Sequence, residues 1–236
     1  VTIWGALAEL FLRRPPAEPD LDDTAPVVLG GPPWPDFDGG LDAIPIGRRG
    51  LVETFGDLGE TFDSKGAIKV SRVWERASMT LARELPGYAR PLYVHRLAEP
   101  YLREALRRAT WVAPDWAPGK IGCFNPRRQR HSASLPLSLH SWGVAVDIDS
   151  DDNPGRNLRD RVEPWTGAWT RLYPRGLPRE VVEAIESVGW EWGGRWFPYV
   201  DPMHFQLCRT RARPTLAEQA ARLRSEAISG TPEPGR

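Results

Sequence analysis

Four side chains set the chemistry open to this sequence: His140 and Asp147 in the run SLHSWGVAVDID, and Asp201 and His204 in DPMHFQ. His140 and Asp147 stand seven positions apart, across a bend that Gly143 permits and beside an Ala145 that leaves room. His204 lies far downstream, three residues after Asp201. Two imidazoles and one carboxylate are a common ligand set for a catalytic Zn2+, because three protein ligands leave a fourth position for water. Asp201 is then the carboxylate left over, available as a general base beside that position. A lone histidine near a strand end is more often a structural residue than a ligand, so the set has to be judged together. The competing histidines are His95, which ends the run PLYVH, and His131, in the polar loop RQRHSASLP. Neither has an acidic residue at comparable spacing on an apolar strand. Both read as non-ligands, with His131 a neighbour of the substrate.

These residues need elements to hold them. WGVAVDID alternates small or apolar groups with others and predicts a strand, as do PLYVH and MHFQL, the last bounded by Pro202. Ser71 is placed to cap a helix over SRVWERASMTLARE that ends before Pro86. Residues 97–109 set Leu97, Leu102, Ala105, Leu106 and Ala109 on one face, with Pro100 tolerable in the first turn. Residues 179–188 set Val181, Ile185 and Val188 on another, followed by Gly189 as a helix-terminating residue. Thr215 and Glu218 have capping-box spacing before LAEQAARLRSEAI. Helices and strands in mixed order, without regular βαβ alternation, predict an α+β fold: a small antiparallel sheet bearing the metal site, flanked by helices. Residues 13–47 are crowded with proline and glycine, which oppose long helices and central strands. The expected organisation is an arm over 1–46 anchored by Trp34 and Phe37, a folded domain over 47–214, and a helix with a disordered tail over 215–236.

Composition narrows the partners. Among 236 residues, 31 basic side chains balance 31 acidic ones, so no global field draws the chain to nucleic acid or acidic lipid. No run approaches the ~20 apolar residues of a membrane span. VTIWGALAELFL is interrupted by Glu9 and lacks a basic n-region, so it does not read as a signal peptide. Cys123 and Cys208 form no CxxC pair, which excludes a cysteine zinc knuckle; they are two buried thiols or one disulfide. The acidic run DIDSDDNPGRN has Pro154 where a calcium loop wants glycine, and reads as a solvated turn. A monomer is expected.

SLHSWGVAVD resembles the SxHxxGxAxD signature of the M15 peptidases, matching it at Ser138, His140, Gly143, Ala145 and Asp147. GWEWGGRWFPYVDPMHFQ is similar to the family's second signature. Within it Trp190, Trp192, Gly193, Gly194 and Trp196 resemble the WxWGGxW run of the endolysin-like branch. The family comprises D-alanyl-D-alanine carboxypeptidases and dipeptidases and phage L-alanyl-D-glutamate endopeptidases. The resemblance implies that His140, Asp147 and His204 hold Zn2+ and that Asp201 is the base. It also implies an arginine that holds the substrate or the developing oxyanion; in GCFNPRRQR, Arg127 is the best match and Arg130 the second. Ser138, Trp142, Trp192 and Trp196 belong to the motifs that line the expected cleft, where they would contact a peptide or an adjoining sugar. Gln206 departs from the pattern, since many relatives carry glutamate there. The implied activity is hydrolysis of the peptide stems of bacterial peptidoglycan at the cell wall, by an L-alanyl-D-glutamate endopeptidase or a D-alanyl-D-alanine carboxypeptidase. The rival is a non-catalytic cell-wall binding module or pseudoenzyme, which has no need of all four residues.

Overall fold

The computed structural model describes residues 37–63 and 67–209. Their fold is α+β, with five helices and small antiparallel sheets of two to four strands among the described residues. Trp34 and the capping box at Thr215 lie outside the described residues.

The sheet that matters has four antiparallel strands in the order β5 (Ile121–Gly122), β6 (Ala145–Ile148), β10 (His204–Gln206) and β8 (Glu191–Trp192). Successive side chains of a strand point to opposite faces, and directly paired residues share a face. The register pairs Phe205 with Val146 and Trp192, and Ile121 with Ile148. All five are at most 5% exposed, so one face of the sheet is core. Burying an aliphatic or aromatic side chain stabilises by roughly 1.5–3 kcal/mol each, and this anchors the register. The same register sets Asp147 opposite both His204 and Gly122, and Gln206 opposite Ala145 and Glu191, on the other face. A slip of one residue would move every polar group of that face into the core.

Helices close over the core. α1 (Gly47–Phe55) buries Leu51 and Phe55, and α2 (Arg72–Ser78) starts at Ser71, whose hydroxyl accepts from the Trp74 amide at 3.5 Å. α3 (Glu99–Val112) carries Pro100 in its first turn and buries Leu102, Ala105, Leu106 and Ala109 at helical spacing. That face packs on Val181, Val182, Ala184 and Ile185 of α5 (Arg179–Glu186). Gly189 follows α5 with φ 106°, as its position after the helix predicts. The buried Arg108 donates to Glu104 at 2.8 Å and to the Ser187 hydroxyl at 3.1 Å, tying α3 to the end of α5. α4 (Gly167–Leu172), which the sequence reading missed, is a short turn of helix capped by Thr166.

Two expectations need correction. The helix starting at Ser71 was expected to run over SRVWERASMTLARE to Glu84, yet it ends at Ser78. Met79–Ala82 instead forms β3, paired antiparallel with β4 (Leu92–His95) from Met79↔His95 to Ala82↔Leu92. The hairpin buries Met79 and Ala82, and Gly87 supplies the positive φ of its turn. Leu97 precedes α3 rather than lying on its buried face, and it is 36% exposed.

Two-stranded pairs complete the fold: β1 (Thr61–Phe62) with β2 (Ile68–Lys69), and β7 (Arg156–Asn157) with β9 (Tyr199–Val200). Residues 37–46, expected to belong to the arm, pack on this unit. Phe37 meets Tyr101 edge-on at 5.2 Å, and Ile46 forms a parallel bridge to Arg209. Cys123 and Cys208 are both free thiols and both buried.

Candidate metal centre

His140 reaches the polar face of the sheet from a tight 3-10 turn, Leu139–Trp142. Ser138 caps that turn by accepting from the His140 amide at 3.4 Å, and Gly143 ends it with φ 65°. A Cβ on Gly143 would lie 2.6 Å from Met79 Cε and 3.0 Å from the His95 amide nitrogen, so only glycine fits. The ring is oriented from behind: its Nδ1 is 2.7 Å from the Cys123 carbonyl oxygen. A carbonyl only accepts, so Nδ1 carries the proton and Nε2 is left bare.

Three donor atoms then converge. His140 Nε2 is 3.2 Å from His204 Nδ1 and 3.1 Å from Asp147 Oδ1, and His204 Nδ1 is 3.0 Å from Asp147 Oδ1. Zinc bonds of ~2.0–2.1 Å at tetrahedral angles set ligand atoms ~3.3 Å apart, so this triangle is close to the size zinc requires. The three residues form a group that could hold a metal ion. Burial works against the Asp147 carboxylate, but the adjoining His140 and His204 imidazoles outweigh it and hold the carboxyl well below its usual range. Burial likewise opposes the charged form of His204, while Asp147 overcomes it and raises that imidazole. The close contact of three groups that want a shared positive charge is what a cation between them relieves.

Asp201 lies at the edge of this cluster. Its amide donates to the Gly193 carbonyl at 3.0 Å, and its own carbonyl accepts from the His204 amide at 3.1 Å. Its Oδ1 is buried without a hydrogen-bond partner, an uncommon and costly state for a carboxylate oxygen. Burial raises its pKa above the usual carboxylate value, with His204 opposing and the Asp147 charge reinforcing. A Cβ on Gly155 would lie 2.9 Å from this Oδ1 and 2.2 Å from the Tyr199 hydroxyl, so the glycine leaves space for both side chains.

Arg127 is positioned by its backbone. Its amide donates to the Ser141 hydroxyl at 3.0 Å, and its carbonyl accepts from the Ser138 amide at 2.8 Å. The guanidinium lies 3.6 Å from Asp147 Oδ2. Arg130 is exposed and sits over the Tyr199 ring, 5.0 Å from its centroid. Trp196 packs against His204 at 5.4 Å between ring centroids.

The structure corrects the expected cleft lining. Trp142 is fully buried and donates its indole N–H to the Gly56 carbonyl at 2.9 Å. Trp192 is 2% exposed, stacked on Trp165 and bonded to the Pro202 carbonyl. Both indoles are core groups, because their strand and turn positions face inward. Ser138 is 4% exposed, and its hydroxyl is used as a helix cap. His95 is buried against Phe55 and Trp74, while His131 is exposed on its loop. Tyr199 was not singled out as a neighbour of the site, because its placement follows from cross-strand register, which local sequence does not reveal.

The class this defines is an α+β protein with a His–Asp–His group fitted to a metal ion and a buried carboxylate beside it. Residues 131–207 match the family model described as D-alanyl-D-alanine carboxypeptidase, Peptidase_M15_4. The match covers His140, Asp147, Asp201 and His204, and over this segment the chain is similar to the M15 peptidases. Arg127 and Arg130 fall just outside the matched segment.

Proposed function

We propose that this chain is a zinc peptidase that hydrolyses the peptide stems of bacterial peptidoglycan. In this reading His140 Nε2, His204 Nδ1 and Asp147 hold the zinc, and Asp201 is the general base. The observation that carries it is the triangle of three donor atoms, 3.0–3.2 Å on each side, beside a buried carboxylate oxygen without a partner. Bound there, zinc supplies a Lewis acid that polarises the scissile carbonyl and makes water acidic enough to attack near neutral pH. Asp201 Oδ1 takes the proton of the attacking water and passes it to the nitrogen of the leaving amine. Its raised pKa suits both steps. The Arg127 guanidinium donates to the carbonyl oxygen as negative charge develops on it. Arg130 and Trp196 border the approach and contact the peptide. The place of action is the cell wall, where such stems occur. Among the described residues no helix is long and apolar enough to cross a membrane.

Mass spectrometry of products from purified peptidoglycan tests this directly and names the bond. Loss of a terminal D-alanine identifies a carboxypeptidase, whereas release of stems cut after L-alanine identifies an endopeptidase. Asp201→Asn is the control: it keeps zinc and fold and slows turnover by ~10²-fold or more. Unchanged hydrolysis in that variant contradicts the role given to Asp201.

A further inference from the structure

Gln206 and Glu191 lie outside the trio that converges on one point, yet hydrogen bonds join them to it. They are cross-strand partners on β10 and β8. Gln206 Nε2 donates to the Cys208 carbonyl at 2.6 Å and to Glu191 Oε2 at 3.3 Å. A carbonyl and a carboxylate only accept, so the amide end facing them is the NH2. The other end, Oε1, is thereby turned to His204 Nε2 at 3.2 Å. An amide oxygen only accepts, so His204 carries a proton on Nε2 and turns Nδ1 to His140 and Asp147. Glu191 is itself fixed by the Trp196 indole N–H, which donates to its Oε1 at 3.0 Å.

Gln206 is 3% exposed, so water does not compete for these contacts. Turned round by half a rotation, the same carboxamide would set its NH2 against Nε2. That nitrogen would then have to accept, the ring proton would move to Nδ1, and the lone pair facing the trio would be lost. The acceptors behind the amide oppose that rotation.

We infer that Glu191 is a positioning residue that acts through Gln206 to fix the tautomer of His204, keeping Nδ1 directed at His140 Nε2 and Asp147 Oδ1. The functional meaning rests on the proposed zinc site, whereas the proton on Nε2 is a property of the metal-free protein as well.

The test uses the full chain with Glu191→Leu, Glu191→Gln, Gln206→Met and the double variant Glu191→Leu/Gln206→Met. Zinc affinity is read by competition with a chromogenic chelator. Glu191→Leu weakens zinc binding by ~10–100-fold although it touches no donor atom, and Glu191→Gln, which retains an acceptor oxygen, recovers most of the loss. The double variant binds no more weakly than Gln206→Met, because both changes break one route. Gln206→Met keeps the side-chain volume and serves if Glu191→Leu folds poorly. Wild-type affinity in Glu191→Leu, or additive losses in the double variant, overturns the inference. In the metal-free protein, the ring Nε2 proton of His204 gives an NMR signal protected from exchange by Gln206, and Glu191→Leu reduces that protection. If the wild-type chain takes up no zinc, the proposed function fails, and the NMR signal alone decides: equal protection in Glu191→Leu overturns the positioning role.

Discussion

His95 couples the fold to pH, and the size of the effect follows from its surroundings. The ring is 3% exposed, edge-on to Phe55 at 5.0 Å and tilted against Trp74 at 5.9 Å. Its Nδ1 accepts from the Leu97 amide at 3.2 Å, a contact that requires this nitrogen to be unprotonated. Burial lowers its pKa from 6.5 to about 4, with a backbone contact to Phe55 opposing and the Arg96 charge adding to the shift. The folded value lies below the unfolded one, so the unfolded chain binds the extra proton. The contribution is therefore fully present above pH 6.5 and is lost as the pH falls toward 4. At ~1.4 kcal/mol per unit, a shift of ~2.5 units corresponds to about 3 kcal/mol across that window. His95→Asn removes the titration while offering an oxygen near the position of Nδ1. Its cavity lowers stability at every pH, so only the slope matters. Urea unfolding of both proteins at pH 7.5, 6.0, 5.0 and ~4 should show wild type losing about 3 kcal/mol more than the variant. Parallel pH profiles would refute the claim that His95 is buried neutral.

Three further outcomes are expected. Gly143→Ala forces a side chain into a left-handed turn against Met79 and the His95 amide, and should lower stability by ~2 kcal/mol or more in a denaturant titration. Arg127→Ala should lower turnover of stem peptides ~100-fold while leaving zinc bound; a crippled Arg130→Ala beside a normal Arg127→Ala would transfer the role to Arg130. Cys123 and Cys208, whose thiols burial pushes up to about 12, should resist thiol reagents at pH 8 until the chain is unfolded.

What was legible in the sequence followed local rules. The apolar faces of α3 and α5 repeat at helical spacing, and the structure buries them. The strand at VAVDI shows in its alternation. The convergence of His140, Asp147 and His204 was legible because histidines are scarce and SLHSWGVAVD resembles the M15 signature, and the register of β6 with β10 brings the last two face to face. Met79–Ala82 was misread because a short run with mixed periodicity fits helix or strand equally, and only pairing with Leu92–His95 decides it. Trp142 and Trp192 were set in the cleft because motif membership identifies a residue without saying which way it points. The link from Glu191 through Gln206 to His204 stayed hidden for a related reason, since it crosses to a neighbouring strand.

In the proposed mechanism His140, Asp147 and His204 hold a zinc ion on which hydrolysis depends. Metal analysis of the purified chain, paired with peptidoglycan hydrolysis before and after chelation, tests it most directly. Stoichiometric zinc is expected in the wild-type protein, none in His204→Ala, and hydrolysis that disappears with the metal and returns when zinc is restored. Full hydrolysis by the metal-free protein, or by His204→Ala, would contradict it.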